Sequence, residues 1–144
     1  MSDCIFCKIA DGEIPCHKVY EDDQHIAFMD IGQVNPGHVI VALKSHSETI
    51  LDLDEEQASS IFKVVNRVAK SVQQEFQPEG LTILQANRKA GWQTVPHFHF
   101  HVLPRHTDDG VNLTWPVKNP PAEELAQLAD RIEVEKRMGS DLDQ

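Results

Sequence analysis

Three histidines, His97, His99 and His101, occupy alternate positions in the stretch Val95-Pro96-His97-Phe98-His99-Phe100-His101-Val102-Leu103. On a β-strand successive side chains face opposite ways, so the three imidazoles share one face and Phe98, Phe100 and Val102 share the other. On a helix the same residues would scatter around the axis. The alternation predicts a strand over 95–103. Each imidazole brings two ring nitrogens that need partners or water. Three chemical readings follow. The set is a catalytic metal centre, with a further ligand from elsewhere. Or a neutral imidazole attacks phosphorus through one nitrogen while the other is held as a donor, and a neighbouring imidazole steadies the phosphoryl oxygens. Or this is a histidine-rich surface strand, which accounts for the phenylalanines but not for three successive histidines.

The flanks favour an anionic ligand. Gln93 and Thr94 can donate to an oxyanion, and Gly91 lets backbone approach a ligand closely. Arg88, Lys89 and Arg105 put positive charge near the strand. Taken singly, Arg88 and Lys89 read as solvated loop residues. At the N-terminus, Cys4-Ile5-Phe6-Cys7 can place two thiolates on one zinc ion. A redox pair lacks the surrounding βαβ pattern, and two small residues packing beside Ile5 and Phe6 is the structural alternative. Cys16 reads as buried or idle.

The elements that must position these residues are few. The chain has 144 residues, 40% hydrophobic and 25% charged, which suits one globular domain over 1–144. Its net charge of -10 argues against DNA or RNA as a partner. Met1-Ser2-Asp3-Cys4 has no signal-peptide character, and no apolar run is long enough for a bilayer. A cytoplasmic protein with reduced thiols, no membrane association and no disulfide framework is expected. Lys18–Glu21, His25–Asp30 and His38–Leu43 read as sequential strands, with Asn35-Pro36-Gly37 as a turn. Short connections favour an antiparallel meander. Asp54 and Gln57 form a capping box for a long helix whose stripe Ala58, Ile61, Phe62, Val65, Val68, Ala69, Val72 and Phe76 belongs to the core. Leu81–Gln85 is a further strand. A last helix starts at Asn119-Pro120-Pro121, with Leu125, Leu128, Ala129 and Ile132 on its inner face.

Gln93-Thr94-Val95-Pro96-His97-Phe98-His99-Phe100-His101-Val102-Leu103-Pro104-Arg105 resembles the signature of the histidine triad (HIT) proteins. Val19-Tyr20-Glu21-Asp22, Ala27-Phe28-Met29-Asp30-Ile31 and Pro36-Gly37-His38 recur in the same order in that family, and Cys4-Ile5-Phe6-Cys7-Lys8-Ile9 resembles its zinc-containing, bacterial-type branch. The resemblance implies an α+β fold, a five-stranded antiparallel sheet with two helices, paired as a homodimer. It implies a purine nucleotide substrate attacked at the α-phosphorus by the middle histidine, which is His99. His101 and Thr94 would serve the phosphate, Gln93 the phosphate region and leaving group. Asp30 would take the ribose hydroxyls and Ile31 the base. A structural zinc would sit on Cys4, Cys7, His46 and His97, pinning the segment 1–17 to the sheet, and no redox cofactor is expected.

Two departures stand out. Trp92 replaces one of the small residues usual before the glutamine, which narrows the phosphate pocket or covers the leaving group. Ala86 stands near the usual asparagine, with Asn87 beside it as a substitute. The resulting expectation is a nucleotide hydrolase or nucleotidyl transferase acting on dinucleoside polyphosphates or nucleoside phosphoramidates. The alternatives are a non-catalytic nucleotide-binding module of the same fold, and a metal-dependent hydrolase using the histidine strand.

Overall fold

Val39–Leu43, apolar throughout, has every residue buried and forms the centre of the sheet. In this computed structural model, which describes residues 3–134, the strands are β1 (Lys18–Glu21), β2 (His25–Met29), β3 (Val39–Leu43), β4 (Gly80–Gln85) and β5 (His99–Arg105). They lie in the order β1-β2-β3-β5-β4, each antiparallel to its neighbours. The first three form the expected meander. The chain then crosses the sheet, so that β5 inserts between β3 and β4. The described residues also form the α-helices α1 (Ile5–Ala10), α2 (Glu55–Phe76) and α3 (Ala122–Ile132).

The register of β5 against β3 explains the histidines. Val41 pairs with Phe100, Ala42 with His99 and Ile40 with His101. Directly opposed residues share a face. On one face Ala27, Val39, Val41, Phe98 and Val102 pack with Ile61, Val64, Val65, Val68 and Val72 of α2. On the other, Ile26, Phe28, Ile40 and Ala42 pack with Phe6 of α1, and here His99 and His101 emerge. Each fully buried aliphatic side chain contributes roughly 1.5–3 kcal/mol to holding this register. A slip by one residue would exchange the imidazoles with the phenylalanines.

The structure corrects several boundaries. The strand begins at His99, not at Val95. His97 N–H donates to Val95 O (2.8 Å), which bends the lead-in, and Phe98 N–H donates to Ser47 O (2.7 Å) rather than to a strand partner. Residues 5–10 form a short helix that the sequence reading did not assign. Cys4 is its N-cap, and the Cys4 Sγ accepts from Cys7 N–H. The α2 capping box is formed as the sequence predicts, with Asp54 and Gln57 each accepting from the other's backbone. On α2, however, Phe62 and Phe76 are exposed and Val64, absent from the expected stripe, is buried.

The Asn35-Pro36-Gly37 turn delivers His38 to the active face. Gly37 has φ +104°, and a Cβ there would lie 2.7 Å from the Phe76 ring. Gly37→Ala is therefore expected to cost about 1–3 kcal/mol, through left-handed backbone and the clash together. Chemical denaturation measures it; an unchanged midpoint would contradict this account of the turn.

The chain forms two compact units, Met1–Val111 and Asn112–Gln144. In the second, α3 follows Pro121, and none of its residues is buried. Leu125, Leu128 and Ile132 were expected to face inward; they are exposed. Among the described residues, no helix is long and apolar enough to cross a membrane.

Candidate active site

His99 is buried at 4% exposure, and its Nδ1 lies 2.6 Å from the His97 carbonyl oxygen. A carbonyl only accepts, so Nδ1 carries the proton and Nε2 holds the lone pair. Burial lowers the His99 pKa despite that hydrogen bond, which favours the neutral, nucleophilic form. Phe6 of α1 sets its ring edge-on to His99, with centroids 4.9 Å apart. The imidazole is thus fixed at both its nitrogen and its face.

His101 is oriented by a residue the sequence reading left without a role. Val34 N–H donates to His38 Nδ1 (3.2 Å). The neutral His38 therefore carries its proton on Nε2, 2.9 Å from His101 Nδ1. Asp30 Oδ2 lies 3.3 Å from the same His38 nitrogen and 3.9 Å from His101 Nδ1. With Nδ1 of His101 accepting, its Nε2 carries a proton and is a donor for an anion. Asp30 Oδ1 meanwhile accepts from Gly32 N–H at 2.8 Å, so this carboxylate is held by backbone on one side and faces the histidine pair on the other.

His99, His101, Asp30, Ile31, Thr94 and Phe28 line a cavity of about 350 Å3, a size that suits a small-molecule ligand. Ile31 is 98% exposed at its edge. An isoleucine so exposed beside a cavity offers an apolar surface to whatever enters.

His97 does not join this set. It is fully buried, and its Nε2–H donates to Leu43 O at 2.6 Å. Its Nδ1 lone pair then faces Cys4 Sγ (3.3 Å) and Cys7 Sγ (3.5 Å), and His46 Nδ1 lies 3.3 Å from Cys7 Sγ. The four ligand atoms all lie within 4.8 Å of one another. Burial, then the contact with Cys4, pushes the Cys7 thiol up to about 11. Two thiols crowded this way resist becoming thiolates together; a cation between them reverses that penalty. Burial lowers the His97 pKa, keeping the imidazole neutral as a ligand must be. The donor set fits a metal ion, and the hydrogen bond to Leu43 fixes the tautomer that would bind it.

The loop before β5 is built differently from the expectation. Asn87 lies outside the cavity. Its Oδ1 accepts from Ile50 N–H (2.7 Å), and its amide exchanges hydrogen bonds with the Gln85 side chain at 2.7 and 2.9 Å. Gln93 accepts from Arg88 N–H and donates to Glu48 O, both at 2.7 Å, so its amide staples the loop. Thr94 lines both the cavity and a neighbouring groove with Gln93. Arg105 is engaged by Asp109 (2.7 Å), Thr82 and the Val111 carbonyl; it anchors the end of β5 and does not line the cavity. The Arg105 hydrogen bond holds the Asp109 carboxyl well below the usual carboxylate range.

A family model described as the HIT domain matches residues 11–108. The chain belongs to the HIT domain family. Adenosine 5'-monophosphoramidase hnt1 of Schizosaccharomyces pombe is 35% identical over 130 residues, covering 90% of this chain and 95% of that protein. A crystal structure of a HIT family protein from Bacillus anthracis is similar with a TM-score of 0.86 at 43% identity, covering 90% of this chain and 94% of that one. A Zn-bound histidine triad family protein from Mycobacterium smegmatis is similar with a TM-score of 0.72 at 30% identity, covering 90% and 98%.

His38 is the site residue that sequence reasoning missed. Its only local signal was its place after the Pro-Gly turn. The His38–His101 pair carries a pH prediction for this HIT protein. Burial lowers both pKa values below the ordinary 6.5. An unfolded chain therefore binds protons that the folded one refuses. The stability is fully present above about 6.5 and is lost as pH falls through the depressed folded values. The melting temperature is expected to fall between about pH 7.5 and about pH 5.5, and to fall less in His38→Gln. An equal fall in both proteins would contradict the assignment.

Proposed function

We propose that this HIT protein cleaves nucleotide derivatives at the α-phosphate, with His99 as the nucleophile. The observation that carries this reading is the His99 tautomer: Nδ1–H is held on the His97 carbonyl, leaving the Nε2 lone pair on a residue that lines the cavity. The name of the Schizosaccharomyces pombe relative supports a phosphoramidase or related hydrolase. In this mechanism Nε2 attacks the α-phosphorus, and the bond to the leaving group breaks with its electron pair going to that group. An amine leaving group takes a proton from solvent. His101 Nε2–H donates to a phosphoryl oxygen as charge builds there, with His38 keeping that proton in place. Water then attacks the nucleotidyl-histidine, the Nε2–P bond breaks, its electron pair returns to His99, and a proton is released.

The remaining roles follow from chemistry. Asp30 accepts from ribose hydroxyls, and Ile31 packs on a purine base. Thr94 donates to the phosphate from the cavity edge, and Gln93 shapes the loop on the leaving-group side. Asn87 acts at most through the loop it braces.

Cys4, Cys7, His46 and His97 would hold a zinc ion; the donor set and the Zn-bound Mycobacterium smegmatis relative support this. Four protein ligands leave no open position, so zinc there supplies a structural crosslink between α1, the 44–49 loop and the lead-in to β5. Reduced thiols of this kind suit a cytoplasmic location. We read the protein as a homodimer. Among the described residues the outer edge of β4 has no strand partner, and Leu81 and Ile83 on that strand are exposed. One domain over 1–144 remains our reading of the chain.

A substrate panel with product identification tests the proposal. Adenosine 5′-phosphoramidate is expected to give AMP, and diadenosine polyphosphates to give AMP and the residual nucleotide. Binding without turnover of either would overturn it in favour of a nucleotide-binding module.

A further inference from the structure

Two non-glycine residues of the loop before β5 sit in backbone regions that favour glycine. Arg88 has φ 63° and ψ 169°, and Trp92 has φ 75° and ψ 18°. Bulky side chains rarely occupy either region, and the first is almost confined to glycine. Glycine would meet the backbone demand without strain, so the two side chains themselves need an account. The loop is held in this shape by Gln93, whose Oε1 accepts from Arg88 N–H and whose Nε2 donates to Glu48 O.

Both residues line one groove. It has a volume of about 700 Å3 and is also lined by Lys89, Glu48, Gln93 and Thr94. Thr94 lines the histidine cavity as well, so the two spaces adjoin at Thr94, which is proposed to donate to the phosphate. Trp92 is 62% exposed. The groove presents two cations against one carboxylate, in a chain of net charge -10. A ring beside cations suits a ligand that joins an aromatic base to phosphates.

Resting on the proposed chemistry at His99, we infer that Arg88, Lys89 and Trp92 form a leaving-group subsite for a second nucleotide. The preferred substrate is then a dinucleoside polyphosphate. The bond that breaks joins the α-phosphorus to the bridging oxygen. The departing nucleotide takes the electron pair as a phosphate anion, which needs no proton and is met by Arg88 and Lys89. Water later resolves the adduct to the nucleoside monophosphate. Ammonia, leaving from a phosphoramidate, is too small to engage the groove.

The test compares diadenosine tetraphosphate with adenosine 5′-phosphoramidate. Arg88→Gly and Trp92→Gly place glycine where the backbone already favours it, so folding is preserved or improved. The ratio of kcat/KM for the dinucleotide to that for the phosphoramidate is expected to fall at least about tenfold in each. A ratio that does not move in the double variant overturns the subsite. A binding readout separates this from failure of the chemistry. In a His99→Ala, Trp115→Phe protein, diadenosine tetraphosphate should quench Trp92 fluorescence and AMP should not. Quenching that Arg88→Gly weakens, in a protein whose parent turns over neither substrate, would keep the subsite and overturn the nucleophile. Turnover of both substrates without quenching would do the reverse.

Discussion

His99→Ala is expected to lower kcat for adenosine 5′-phosphoramidate by at least about 10^4-fold while AMP binds within a few-fold of the parent protein. The size follows from the role. In the proposed mechanism His99 Nε2 is the atom that bonds to phosphorus, and no described neighbour is placed to substitute for it. His97 is turned to the thiols, and the His101 Nδ1 is engaged by His38. Asp30, Ile31 and Thr94, the groups proposed to bind the nucleotide, still line the cavity, so affinity for product should be retained. His101→Ala removes only a donor to the phosphoryl oxygens and should cost less, about 10^2–10^3-fold. Turnover by His99→Ala near the parent level would sink the nucleophile. A larger loss at His101 than at His99 would make His101 the better candidate.

Cys7→Ser carries the second large effect. Removing one of the four proposed zinc ligands is expected to release the metal and destabilise the protein by about 3–5 kcal/mol. The parent protein should hold one zinc per chain; the variant should hold little and melt well below it. Activity should fall with the metal, although no ligand touches substrate. The link is Phe6, which packs against both His97 (5.9 Å) and His99 (4.9 Å). Freeing α1 removes the face contact that fixes the nucleophile. His99→Ala and His101→Ala supply the contrast, since both should keep their zinc. Metal lost on changing either of those two would instead revive a catalytic metal on the histidine strand. A Cys7→Ser protein with parental melting and activity would contradict the structural assignment.

The parts of this molecule legible in its sequence are those written locally. Period-two alternation put His99 and His101 on one face and Phe98, Phe100 and Val102 on the other, and β5 keeps that division even though it starts at His99. The Asp54–Gln57 box marked the start of α2 to the residue. What escaped depends on contacts distant in the chain. The His38 imidazole reaches His101 across 63 positions, and its place after the Pro-Gly turn does not name that partner. Arg105 looked free for phosphate until the fold brought Thr82 to it across 23 positions, alongside the nearby Asp109. Asn87 is taken up by Ile50, a partner only the crossover supplies. Cys4, Cys7, His46 and His97 have spacings that suit no local motif. Family resemblance joined them in the sequence, and the structure brings their ligand atoms within 4.8 Å. Arg88 and Trp92 show the opposite case. Their identities were plain, but only the backbone reveals that each occupies a conformation costing about 1–3 kcal/mol.

The central claim is a covalent bond between His99 and the nucleotide. The most direct measurement is rapid denaturing quench of the protein during turnover of radiolabelled adenosine 5′-phosphoramidate, followed by mass mapping of the labelled peptide under conditions that preserve phosphorus–nitrogen bonds. The account predicts an adenylyl group on His99, formed fast enough for turnover and absent in His99→Ala. Steady turnover with no adduct, or an adduct on another residue, would contradict it.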